Sequence, residues 1–187
     1  MGNNAKGEGM TTIRLTTAQA LVRFLCAQKV RTDNGVQPLI GGVWAIFGHG
    51  NVAGLGEALY AVRDQLPTLR AHNEQGMALA ATAYAKAAFR RRFMAVTTSI
   101  GPGCTNLVTA AATAHVNRLP LLLLPGDIFV SRDPDPVLQQ VEDFQDGRVS
   151  AADCLRPVSR YFDRIVSPHQ LLTALPRAIA VLTDPAQ

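Results

Sequence analysis

A carboxylate at the start of a helix, a loop histidine and two glycine-rich turns are the groups in this 187-residue sequence whose types and spacing could do chemistry. The carboxylate is Glu74, in the run Ala71-His72-Asn73-Glu74-Gln75-Gly76. A short apolar/polar segment ends there, and an alanine-rich run begins that reads as helix as far as Phe89. Free backbone N–H groups and the positive end of the helix dipole face a carboxylate in that position. The plain reading is that Asn73 caps the helix and Glu74 decorates its first turn; the chemical reading is a half-sheltered carboxyl that passes a proton. His49, in Gly48-His49-Gly50-Asn51, is the second acid/base candidate. Gly101-Pro102-Gly103, ahead of a helix, could present free N–H groups to an anion, or its glycines could serve only close packing. His49, His72 and His115 do not form a metal set by spacing, and Cys26, Cys104 and Cys154 contain no C-x-x-C pair. No metal ligands are expected among them.

The elements that must position these residues alternate in type. Thr16 or Thr17 caps a first helix with Ala20, Leu21, Phe24 and Leu25 on one face. Asp33-Asn34-Gly35 is turn chemistry, and Pro38 with Gly41-Gly42 implies an irregular connection. Val43 to Phe47 is an apolar run of the kind a parallel strand covered on both faces shows, and a helix follows from about Val52 to Gln65. Strands are expected at about Thr68–Ala71, Arg92–Thr97, Leu121–Leu124 and Ser159–Ile165. Helices are expected from Glu74 to Phe89, from the Gly101–Asn106 loop to Val116, from Pro136 to Phe144, and from Pro168 to Leu182. Residues 1–14 read as a disordered segment. This is an α/β chain with an open, mainly parallel sheet and helices on both faces. In such sheets ligands bind beyond the carboxyl ends of the strands. Gly48–Asn51, His72–Gln75, Ser99–Asn106 and Pro125–Asp127 all fall there.

Composition narrows the function classes. The chain is 48% hydrophobic and 17% charged, and its longest strongly apolar run, Leu119 to Pro125, is far too short for a bilayer. The polar N-terminus lacks an apolar signal core, so a cytoplasmic protein is expected, with no membrane partner. The net charge of +4 includes Arg90-Arg91-Arg92, which closes a helix, where cations suit the dipole. With no aromatic interleaving or zinc-finger spacing, nucleic acid is not an expected partner.

Gly48-x-Gly50-x-x-x-Gly54 after a buried strand has some likeness to a dinucleotide-binding turn. Two features oppose it: an acid that reaches a ribose should end a strand, whereas Glu74 opens a helix, and His49 crowds the turn that must approach a pyrophosphate. A nicotinamide-binding module and a non-catalytic interaction domain remain as alternatives.

Taken together, HNEQGMA, GPGCTN and the buried strand ending in LLLLPGD resemble the pyrimidine-binding domain of thiamine-diphosphate enzymes of the acetohydroxyacid synthase type. The resemblance runs from about Leu15 to Asp184, and 15–187 is read as one such domain. Within the family, IRLTTAQALVRFL, IFGHGNVAGLGEAL, NEQGMA and PDPVLQQVE are most similar to the branch of hydrolases that opens a cyclic 1,2-dione in myo-inositol degradation. The resemblance implies thiamine diphosphate and Mg²⁺ as cofactors, a small cyclic dione as substrate, and a homodimer or tetramer with the cofactor between subunits. It gives Glu74 the hydrogen bond to ring nitrogen N1′ of the aminopyrimidine, through which the cofactor is helped to lose its C2 proton. It implies that Gly101, Pro102, Gly103 and Asn106 line the pyrimidine pocket, and that His49, Gly50, Asn51 and Gln145 face substrate.

The sequence departs from the family in one respect. The family holds Mg²⁺ and the diphosphate with a Gly-Asp-Gly segment and a later asparagine, in a separate domain; no Gly-Asp-Gly occurs here. The reading is therefore of a domain cut before its last strand, with the central and diphosphate-binding domains absent and no activity by itself.

Overall fold

The computed structural model describes residues 12–130, 136–143, 145–146 and 148–187. Helix α1 (Thr17–Ala27) begins where the sequence places a cap: Gln19 N–H donates to Thr16 Oγ, and the Gln19 side chain accepts from Thr16 N–H. A hairpin follows, β1 (Lys29–Thr32) and β2 (Gly35–Pro38), antiparallel around Asp33 and Asn34. The expected irregular connection is thus partly ordered. In β1 exposed Lys29 and Arg31 alternate with half-buried Val30 and Thr32, and Val30 packs on the core; four residues are too short a run for that alternation to stand out in the sequence.

The main sheet contains β3 (Ile40–Ala45), β4 (Thr68–Leu69), β5 (Phe93–Thr98) and β6 (Leu122–Pro125), in the order β4-β3-β5-β6, every pair parallel. All six residues of β5 are buried, as suits a central strand covered on both faces. The faces separate by period two: Phe93 and Ala95 join a core with Val22, Leu25, Val43 and Leu59, and Met94 and Val96 join one with Met77, Ala81 and Leu107. Large side chains buried this fully are each worth about 1.5–3 kcal/mol of transfer free energy. The expected α/β architecture with helices on both faces is the one observed.

On the second face, α4 (Glu74–Ala87) packs with α6 (Val108–Val116), preceded by the short α5 (Pro102–Thr105). On the first lie α1, α3 (Glu57–Ala61) and the end of α7 (Leu171–Thr183), whose Ile179 and Leu182 reach the core. The outer edge of β6 borders a groove of about 600 Å³, walled by Leu21, Ala114, Leu155 and Leu175 among others.

Three expected elements differ. The helix after β3 is broken: α2 (His49–Asn51) widens into a π turn over Val52–Gly56 before α3, and ends at Ala61 rather than Gln65. Residues 136–143 form turns, not a helix. Gln139 has φ 70°, and the Gln140 and Glu142 side chains accept from Val137 and Val141 N–H, local bonds that compete with helix. The remainder of that expected helix, Phe144, lies outside the described residues, as do most of residues 1–14 and part of the Pro125–Pro136 loop. Ser159–Ile165 is not a strand; the preceding residues form a 3₁₀ helix, Ala151–Val158, capped reciprocally by Ser150 and Asp153. Arg164 instead forms an ion pair with Asp127 (2.6 Å).

Candidate functional site

The four loops at the carboxyl ends of β3, β4, β5 and β6 meet. The Asn51 side-chain amide donates to the Thr98 carbonyl (3.2 Å), which also accepts from Gly126 N–H (2.9 Å). A Cβ on Gly48 would lie 2.9 Å from Ser99 Cβ, and one on Gly126 3.0 Å from Asn51 Nδ2. Asp127, beyond β6, accepts from the Ser150 hydroxyl (3.0 Å) while its other oxygen meets Arg164.

Glu74 is the first residue of α4, half-buried. Asn73 is its N-cap, with Oδ1 accepting from Gly76 N–H at 2.7 Å, so the plain reading of Asn73 holds. Glu74 itself does more than decorate the turn. The Asn106 side-chain amide, at the end of α5, donates to Glu74 Oε2 (2.9 Å) across 32 positions of sequence. Oε1 accepts no hydrogen bond among the described residues. Gly103 stands beside it: a Cβ there would come within 3.3 Å of Oε1 and would run into the Ser99 hydroxyl. One carboxyl oxygen is held; the other accepts no hydrogen bond among the described residues and lies beside the close Gly103–Ser99 contact.

Gly101 needs to be glycine for a different reason. Its φ is 57°, and a Cβ would strike the Gln139 carbonyl, so the 136–143 segment lies against this loop. Pro102 is exposed at the first position of α5. Glu74, Gly103 and Asn106 therefore come together, with Gly101 and Pro102 in the same loop.

The four residues expected to face substrate are placed differently. His49 and Gly50 are exposed, with no side-chain partner for His49 among the described residues. Asn51 spends its amide on Thr98 and acts as a lock between loops. Gln145 is exposed in a turn closed by its own N–H on Asp143 Oδ1 (2.9 Å). Ser99, Asp127, Arg164 and Gln139 do not stand out in the sequence, although the Pro125-Gly126-Asp127 loop and the Gly101 turn point to where two of them act. Burial pushes the Cys104 thiol, in α5, up to about 12, with Cys154 adding to the effect; it is an inert core group.

A carboxyl oxygen with no hydrogen-bond partner among the described residues suits a ring nitrogen with which it can share a proton. The donor set for a metal-bridged diphosphate is another matter. No group of three or more His, Cys, Asp or Glu among the described residues is arranged to hold a metal ion.

Residues 40–146, more than half of the chain, match the family described as thiamine pyrophosphate enzyme, N-terminal TPP binding domain. The chain belongs to this family. The matched span of the thiamine pyrophosphate-binding domain takes in β3 through β6 and all four loops. The chain is 54% identical over 177 residues to 3D-(3,5/4)-trihydroxycyclohexane-1,2-dione hydrolase 1 of Bacillus cereus, covering 95% of this chain and 28% of that protein. It is likewise 54% identical over 177 residues to the similarly named hydrolase of Geobacillus thermodenitrificans, with the same coverage. With that of Bacillus velezensis it shares 53% over 176 residues, 94% of this chain and 28% of the relative. The chain thus spans little more than a quarter of the length of the curated relatives it matches. No helix among the described residues is long and apolar enough to cross a membrane.

Proposed function

We propose that this domain binds the pyrimidine half of thiamine diphosphate in a hydrolase that cleaves a C–C bond of trihydroxycyclohexane-1,2-dione, giving 5-deoxy-glucuronate in cytoplasmic myo-inositol catabolism. The observation that carries the reading is Glu74, with Oε2 held by Asn106 and Oε1 free beside Gly103. The names of the relatives support the substrate.

When bound, thiamine diphosphate supplies a nucleophilic carbon and a sink for the electron pair of the broken bond. The chain's own part is narrower. Glu74 Oε1 holds and moves a proton at the pyrimidine ring nitrogen N1′. Gly101, Pro102 and Gly103 wall the ring, and Asn51 and Gly126 fix the neighbouring loops through Thr98. His49, Gly50 and Gln145 meet substrate only where a further domain or subunit covers them, since all three are exposed here. Mg²⁺ and the diphosphate are held by a domain outside residues 1–187, and a homodimer or tetramer brings the two halves together. The family places its metal ligands on such a domain, and the curated relatives are more than three times longer than the match.

The test is cofactor binding and activation by the holoenzyme that contains this domain. Thiamine diphosphate with Mg²⁺ should bind, and NAD should not. Glu74→Gln should leave the fold intact and slow hydrogen–deuterium exchange at C2 of the bound cofactor by about 10²–10⁴-fold, the usual range for general acid/base catalysis. Preferential binding of NAD would instead favour the nicotinamide alternative, and a wild-type exchange rate in the variant would remove Glu74 from the chemistry.

A further inference from the structure

The carboxyl of Glu74 is not left to find its own orientation. Asn106 has its backbone N–H bonded within α5, to the carbonyls of Pro102 and Cys104, which frees its side chain to reach back to Glu74. A carboxylate is acceptor-only, so the amide must present its NH₂ group to Oε2. An oxygen that carries a proton is a poor acceptor, and this bond therefore excludes the proton from Oε2. The other oxygen is the one beside Gly103.

We infer that Asn106 is a positioning residue for the proton of Glu74: by occupying Oε2 it confines the exchangeable proton to Oε1. The inference rests on the reading of Glu74 given above. The residue type is suited to the task. A lysine or arginine at the same place would also orient the carboxyl, but its charge would favour the ionised form strongly. A neutral amide fixes the geometry without adding a charge. Asn106 does not need to touch the cofactor to act in this way.

Two measurements test it, and the first needs no cofactor. In the ¹⁵N-labelled 187-residue chain, the Asn106 side-chain NH₂ should have one proton shifted downfield, and that shift should collapse in Glu74→Ala. Indifference of the Asn106 resonances to Glu74→Ala would overturn the inference. The second uses the holoenzyme. Asn106→Ala should slow C2 hydrogen–deuterium exchange about ten- to a hundred-fold, the range for losing a hydrogen bond to a charged group, with cofactor affinity changed less than about threefold. Asn106→Leu, of similar shape and without a donor, should show the same split and serves if the alanine variant folds poorly. Loss of affinity by the same factor as exchange would make Asn106 a binding residue and overturn the assignment, as would unchanged exchange. Failure of the functional reading looks different: Glu74→Gln would then exchange at the wild-type rate while the Asn106–Glu74 resonance coupling persisted.

Discussion

Gly103→Ala is the most informative single change, because one added methyl meets two different groups. Gly103 and Ser99 are both buried, and the new Cβ would run into the Ser99 hydroxyl. Overpacking a close-packed interior costs about 1–3 kcal/mol. Gly103 lies within α5, so alanine returns up to about 1 kcal/mol of helix propensity. At the middle of both ranges the net loss is about 1.5 kcal/mol, which in a chain of this size lowers Tm by about 3–6 °C. Thermal unfolding followed by circular dichroism reads it directly. Ser99→Gly removes the struck atom, so the cost of Gly103→Ala should fall by at least about half in that background. The same Cβ sits 3.3 Å from Glu74 Oε1, and Ser99→Gly does nothing to move it. Cofactor binding by the holoenzyme should therefore stay impaired in the double variant even as stability returns. A Gly103→Ala protein as stable as wild type, or one whose cost is undiminished by Ser99→Gly, would refute the packing argument. Recovery of binding together with stability would refute the role given to Oε1.

Other outcomes follow from the same geometry. His49→Ala in the holoenzyme should retain C2 exchange and lose turnover, since His49 is exposed and no hydrogen bond links it to Glu74 among the described residues; normal turnover would return it to an ordinary surface residue. Alone, the chain should bind thiamine diphosphate no tighter than about millimolar, because without a diphosphate anchor a few ring contacts must offset the cost of immobilising the ligand; micromolar binding by calorimetry would contradict this. The Ser150 N–H, and then Arg156, hold the Asp153 carboxyl below the usual carboxylate range. Its contribution to stability is therefore fully present above the unfolded value, about 4, and is lost as pH falls through the lower folded value. The urea midpoint of wild type should exceed that of Asp153→Asn at pH 6 and converge on it below about pH 3; a gap independent of pH would rule out this linkage.

How much of this was legible in the sequence depends on the range of the interactions. The β3–β6 sheet and the cap on α4 were legible because they are local: an unbroken apolar run, or Asn73 before an alanine-rich stretch. The β1–β2 hairpin was not, since two four-residue strands with Val30 as their core contact carry too short an alternation to read. The π turn at Val52–Gly56 was hidden because apolar spacing at that scale reads as ordinary helix. Ser159–Ile165 has the residues of a strand, but strand formation needs a neighbouring ladder, and here Arg164 is committed to Asp127. At the site, the sequence supplied Glu74, Gly103 and Asn106 as separate candidates. It could not supply the 2.9 Å bond between two of them, which depends on how β5 and α4 lie side by side. Nor could it reveal that Asn51 reaches Thr98, 47 positions away, rather than outward.

The Thr98 carbonyl, which accepts from both Asn51 and Gly126, has a consequence for the thermodynamics of binding. It belongs to the backbone of a buried strand, so it cannot move without disturbing the centre of the sheet. The loops after β3 and β6 are thereby tied to a rigid post, and the entropy of ordering them is spent during folding. A ligand arriving between them does not have to spend it again. Pre-organised surroundings of that kind raise affinity by removing a cost rather than by adding contacts.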